Sequence, residues 1–174
     1  MSKHSFNTTG PCIPGEHYML DPLRGISDEL MDLIETEQYF AIHAARQSGK
    51  TTLLKELVRR INALGEYYAM YSLETVEWFT APKDGIPAVV KSIKASLNDS
   101  DMPAGFAANA DYDDITNVLK TTLTAYCRIL NKPLIIFFDE ADCLSNGKLI
   151  TFLRQLRNGY LNKASLRSVR CVQD

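Results

Sequence analysis

The segment that most constrains this chain is Ala44-Ala45-Arg46-Gln47-Ser48-Gly49-Lys50-Thr51-Thr52. It lies between a short apolar run, Tyr39 to His43, and an amphipathic pattern from Lys50 to Leu64 in which Leu53, Leu54, Leu57, Val58 and Ile61 recur at helical spacing. It departs from the phosphate-loop pattern G-x-x-x-x-G-K-[ST] only at the first position, where Ala44 replaces glycine. The residue types fit the chemistry. Backbone N–H groups of Ala45, Arg46, Gln47, Ser48 and Thr52 can converge on phosphate oxygens, and Gly49 allows close approach. Lys50 sets a positive charge against the β- and γ-phosphates, and the Thr51 hydroxyl is suited to ligate Mg²⁺. A helix starting here points its positive dipole end at the phosphates. Strand, loop and helix in this order are the context the motif requires.

A second segment completes the argument. Leu134-Ile135-Ile136-Phe137-Phe138 are five consecutive apolar residues, as in a parallel strand buried on both faces, and Asp139-Glu140 follow directly. This is the pattern of a Walker B strand. It puts Asp139 at the carboxyl edge of the sheet, where open α/β sheets bind ligands. Asp139 would hold Mg²⁺, and Glu140 would polarise an attacking water as general base.

Between these landmarks the chain alternates. A helix is expected from Ser27 to about Glu37, a strand at Tyr67–Leu73, a helix at Ala88–Leu97, and a helix capped by Asp111 or Asp113 that runs to about Leu130. Pro82, Gly85 and Pro87 read as a loop, and a last helix spans about Gly147 to Arg157. Alternating strands and helices give an α/β class with a mainly parallel sheet in three α/β/α layers. Residues 1–38 form a lead-in segment and helix, and 39–174 form the core.

Composition excludes several classes. The 174 residues suit one domain; apolar residues are 45% and charged residues 23%, ordinary globular usage. The net charge of −2 leaves no footprint for wholesale nucleic-acid binding. Cys12, Cys127, Cys143 and Cys171 form no C-x-x-C pair, and with His4, His17 and His43 they give no zinc spacing. They read as reduced thiols that pack as small hydrophobes. Neither a signal-peptide core nor a membrane-spanning run occurs, so a soluble cytoplasmic protein is expected.

The chain resembles bacterial AAA-like ATP-binding domains, in the AAA+/STAND branch of P-loop NTPases. The resemblance is carried by His17 to Arg24 (HYMLDPLR), Phe40 to Leu54 (FAIHAARQSGKTTLL), Pro133 to Asp142 (PLIIFFDEAD) and Leu153 to Tyr160 (LRQLRNGY). It implies ATP over GTP, Mg²⁺ dependence, and a lead-in lying near the adenine, with Tyr18 and Met19 as base contacts or as core packing.

Other groups have plainer readings. Arg154 and Arg157, one turn apart, fit a solvated helix face better than an arginine acting in trans on a neighbour's nucleotide. His43 fits a strand end. Asp111, Asp113 and Asp114 lack the glycine and distal glutamate of a calcium loop and fit helix capping. Tyr67, Tyr68 and Tyr71 fit strand packing, since basic residues do not interleave with them.

In this branch a fourth strand inserts between the phosphate-loop strand and the Walker B strand, and a fifth strand and helical lid follow. The remaining candidate, Ser168 to Val172, is interrupted by Arg170, whereas a mid-sheet strand should be continuously apolar. The expectation is therefore a core around three strands, with the C-terminal part of the family domain missing after the Walker B region. Three functions stay open: a Mg²⁺-dependent ATPase, with a homo-oligomer or protein client; a nucleotide-binding interaction or signalling module with little turnover; and a truncated inactive fragment.

Overall fold

The computed structural model describes residues 4–7, 12, 13, 15–25, 27–43, 45, 48–73, 82–98, 111–139, 144, 147–161 and 169–173. Its elements are α1 (Ser27–Glu35), β1 (Phe40–Ala41), α2 (Lys50–Leu64), β2 (Tyr68–Leu73), α3 (Pro82–Asn98), α4 (Val118–Ile129), β3 (Leu134–Asp139), α5 (Lys148–Leu161) and β4 (Val169–Gln173).

The strands form one parallel sheet in the order β1-β4-β3-β2. Every residue of β3 is buried, as its unbroken apolar run requires. Its side chains alternate between two cores. Leu134, Ile136 and Phe138 join Met70 and the inner faces of α3, α4 and α5. Ile135 and Phe137 join Ala69, Leu30 and Ile34 of α1, and Leu53, Leu54, Leu57 and Ile61 of α2. The result is the expected three-layer α/β/α arrangement with helices on both faces of a parallel sheet.

The three-strand expectation is corrected by β4. Its backbone lies between β1 and β3, with Phe40 opposite Val172 and Ile135 opposite Arg170. Arg170 does not prevent the pairing, because the ladder is made by backbone groups that every residue other than proline supplies.

Two helix starts also differ from expectation. Pro82, Gly85 and Pro87 are not a loop: α3 begins at Pro82 and carries Pro87 inside it. Proline suits a first helical position. Pro87 forfeits one backbone hydrogen bond, but Ile86, Val89, Val90 and Ile93 around it are fully buried, and that burial outweighs the loss. The start of α4 falls at Val118, beyond Asp111 and Asp113. Asp111 accepts from the Asp113 N–H, whereas Asp114 organises the entry: its carbonyl accepts from the Asn117 and Val118 N–H groups and its carboxylate from Thr116 and Asn117. The next two amides, Leu119 and Lys120, donate to Oε1 of Gln155 on α5 at 2.9 and 3.3 Å. Gln155 is buried, and its Nε2 donates to the Ile115 carbonyl at 2.8 Å. A side chain from a distant helix thus caps α4, which local sequence does not announce.

Candidate functional site

The site forms where β1 and β3 end and α2 begins. Gly49 is the N-cap of α2 and has φ 92° and ψ 18°, a left-handed conformation that side chains resist and glycine adopts freely. Its carbonyl accepts from the Leu53 N–H at 2.9 Å, so the helix is already wound behind the turn. The Ser48 N–H donates to the Ala45 carbonyl at 3.1 Å and tightens the loop. No acidic residue lies in the first turn of α2, so no carboxylate of that turn offsets the positive end of the helix dipole.

Asp139, the last residue of β3, is 2% exposed. The Thr51 hydroxyl donates to its Oδ2 at 2.7 Å. The two motifs, far apart in sequence, therefore meet in hydrogen-bond contact. Ala44, Arg46, Gln47 and Glu140 lie outside the described residues.

A cavity of about 360 Å³ adjoins the loop. Ser48, Gly49, Lys50, Thr52 and Leu53 line one side; Ile42 and His43 contribute from the end of β1; Cys12, Met19, Leu20 and Pro22 of the lead-in line the rest. Met19 thus reaches the cavity. Tyr18 is not among its lining residues: it is 57% exposed and packs beside the Phe6 and His4 rings, with centroids 5.0 and 5.4 Å away. Sequence reasoning missed Cys12, Leu20 and Pro22, and read His43 only as a strand end. Leu23 anchors this stretch: it is 2% exposed and joins the α1–α2 core, which only the folded structure shows.

Elsewhere, Arg154 and Arg157 are exposed on α5. Tyr68 and Tyr71 are half-buried on β2, as strand packing requires, but lysines do lie over them. Lys132 Nζ is 5.5 Å from the Tyr68 ring and Lys55 Nζ 5.6 Å from the Tyr71 ring. The lysines come from other elements, so a reading along the strand does not find them. Cys12 and Cys127 are free thiols, and burial pushes the Cys127 thiol up to about 12. No described helix is long and apolar enough to cross a membrane.

No model of a known protein family matches the chain, and no curated protein sequence matches it either. Among solved structures it is similar to the ORC2 protein of Aeropyrum pernix, determined as ADPNP–ADP complexes, with a TM-score of 0.55 and 16% identity over 88% of this chain and 41% of that one. The chain thus spans about two fifths of the length of that protein. At this identity the similarity is one of fold alone: helices on both faces of a parallel sheet.

Proposed function

We propose that this chain binds ATP with Mg²⁺ and hydrolyses it, as an AAA-like ATPase whose core is 39–174 with 1–38 as lead-in. The observation that carries this reading is the 2.7 Å contact between Thr51 and Asp139 at the N-terminus of α2. In this reading the amides from Ala45 to Thr52 and the Lys50 ammonium bind the phosphates. Glu140, next to Asp139 in the chain, accepts a proton from the attacking water. Catalysis is then mostly positioning and charge stabilisation.

The donor set fits Mg²⁺. Thr51 and Asp139 offer two hard oxygens close together, and among the described residues no cluster of three or more His, Cys, Asp or Glu forms a cage. Mg²⁺ characteristically takes one or two protein oxygens and leaves the remaining positions to water and phosphate. When bound, it would offset charge on the phosphate oxygens. A second copy of the chain or a protein client is the proposed partner to which hydrolysis is coupled.

The test is a thermal melt with Mg²⁺-ATP together with phosphate release. Wild type should be stabilised and release phosphate, Lys50→Ala should do neither, and Glu140→Gln should be stabilised with little release. Unchanged hydrolysis in both variants sinks the assignment. Stabilisation of wild type without release leaves a nucleotide-binding switch, and no stabilisation refutes binding itself.

A further inference from the structure

The lead-in forms its side of the cavity through Met19, Leu20 and Pro22. Asp21 lies between the last two, and its carboxylate is engaged twice. Oδ1 accepts from the Leu23 N–H at 3.0 Å, closing a turn over Pro22, and from Arg60 Nη2 at 2.7 Å. The Arg24 N–H donates to the Asp21 carbonyl at 3.2 Å and tightens the same turn. Arg60 is itself oriented: its Nε donates to Glu56 Oε1 at 2.7 Å, and the Glu56 carboxylate also holds Arg59 through both oxygens at 2.7 and 2.8 Å. The Arg60 guanidinium, then the Leu23 N–H, hold the Asp21 carboxyl below its usual range.

All three partners of this chain of ion pairs, Glu56, Arg59 and Arg60, sit on α2. The same helix presents Lys50 and Thr52 to the cavity at its first turn. At the α-helical rise, Lys50 and Arg60 are about 15 Å apart along one rigid rod. One helix therefore carries the phosphate-loop end of the cavity and also fastens the lead-in stretch that lines it. The Arg60 and Asp21 side chains are 40% and 46% exposed, and an ion pair so open to water adds little to global stability. Its effect is local: it fixes where Leu20 and Pro22 stand relative to the phosphate loop.

We infer that Arg60 and Asp21 form a positioning clamp that sets the wall of the cavity facing away from the phosphates, and so tunes affinity for the base-bearing part of a nucleotide. This inference rests on the nucleotide reading of the site. Arg60 and Asp21 touch no phosphate in this scheme, so the clamp acts on one half of the ligand alone.

The experiment compares binding of Mg²⁺-ATP and Mg²⁺-tripolyphosphate to wild type, Arg60→Met, Asp21→Asn, the double variant and Arg60→Lys. Tripolyphosphate has the phosphates without a base, and its binding also reports that each variant is folded. Wild type should prefer ATP. Each single variant should weaken ATP by about threefold, the size expected of an exposed ion pair, with tripolyphosphate unchanged. The double variant should be no worse than either single one, because both remove the same contact. Arg60→Lys, which keeps the charge, should recover part of the loss. Equal weakening of both ligands, or of neither, overturns the clamp. Wild type that binds tripolyphosphate as tightly as ATP also overturns it. Wild type that binds neither ligand overturns the nucleotide reading, and the clamp with it.

Discussion

The Thr51 hydroxyl and the Asp139 carboxylate, brought from the start of α2 and the end of β3, meet at 2.7 Å. Without ligand this contact holds the two motifs in register. On the proposed reading the same two oxygens would hold Mg²⁺ when Mg²⁺-ATP binds. Ligand at a hundred times its Kd contributes about 2.7 kcal/mol, which raises Tm by roughly 5–10 °C in a domain of this size. Asp139→Asn keeps an oxygen acceptor for Thr51 but removes the charge. It should retain a cooperative melt and lose most of the Mg²⁺-ATP shift, read by differential scanning fluorimetry with and without EDTA.

Gln155 gives a prediction about stability alone. Its side chain satisfies the Leu119 and Lys120 N–H groups and the Ile115 carbonyl. Gln155→Ala leaves these groups without that partner and opens space in a packed interface. A loss of about 2 kcal/mol is expected, the sum of a lost cap and a small cavity. Urea melts should show a lower midpoint with an unchanged slope.

Gly85 and Lys148 are matched in shape. A Cβ added at Gly85 would stand 2.5 Å from Lys148 Cδ, and Lys148 is fully buried. Gly85→Ala should therefore cost about 1–3 kcal/mol through overpacking, although alanine favours a helix. Lys148→Ala removes the clashing stem. The Gly85→Ala penalty measured in that background should shrink markedly, a non-additivity that chemical denaturation of the four proteins would expose.

Glu56 gives a pH signature. The hydrogen bond from Arg59 is the largest cause that holds its carboxyl down from 4.5 to about 2; burial opposes it, and the Arg60 hydrogen bond and the charges of both arginines add to the lowering. The folded value lies below the unfolded one, so the stabilisation is fully present above about pH 4.5 and is lost as pH falls through about 2. Arg59 is well exposed, so solvent screening holds the effect to about 1 kcal/mol. Glu56→Gln should flatten the stability profile in that acid window and leave the difference between pH 6 and 8 unchanged, as measured by melts across pH.

Thiol reactivity offers a check on the cavity. Cys12 lines it and is half-buried, whereas Cys127 is buried with its thiol raised to about 12. Only a thiolate alkylates readily. Peptide-resolved iodoacetamide labelling of the native protein should mark Cys12 and spare Cys127. Mg²⁺-ATP should slow the labelling of Cys12 if the cavity receives the nucleotide.

The sequence announced those parts of the fold whose cause is local. Helix α2 follows from its apolar spacing and its flanking glycines, and β3 from five consecutive apolar residues. It failed where the cause lies far along the chain. Pro82 and Pro87 look like a loop until the burial of Ile86, Val89 and Val90 is known. The start of α4 depends on Gln155. Strand β4 carries Arg170 and has no apolar run to mark it, and its place comes from backbone pairing on two sides. At the candidate site, the meeting of Thr51 and Asp139 was legible because a phosphate-loop pattern and an apolar strand ending in Asp139 each place their residue at the same edge of a parallel sheet. The lead-in was expected beside the site, and Met19 was named; Cys12, Leu20 and Pro22 were not singled out, since they are ordinary residues with no chemical signature.

The strand order has a consequence for the time course of synthesis. The strand that leads into the phosphate loop, β1, has β4 as its sheet neighbour, and β4 follows the other described strands in chain order. While the chain emerges from the ribosome, the loop, α2 and β3 are all made before the strand that ties β1 to the sheet exists. Residues around Phe40 and Ala41 must therefore wait for Val172 and Gln173. Any property of the loop that depends on a fixed β1 is therefore acquired only once β4 has been made, which separates the birth of the motif from the birth of its setting.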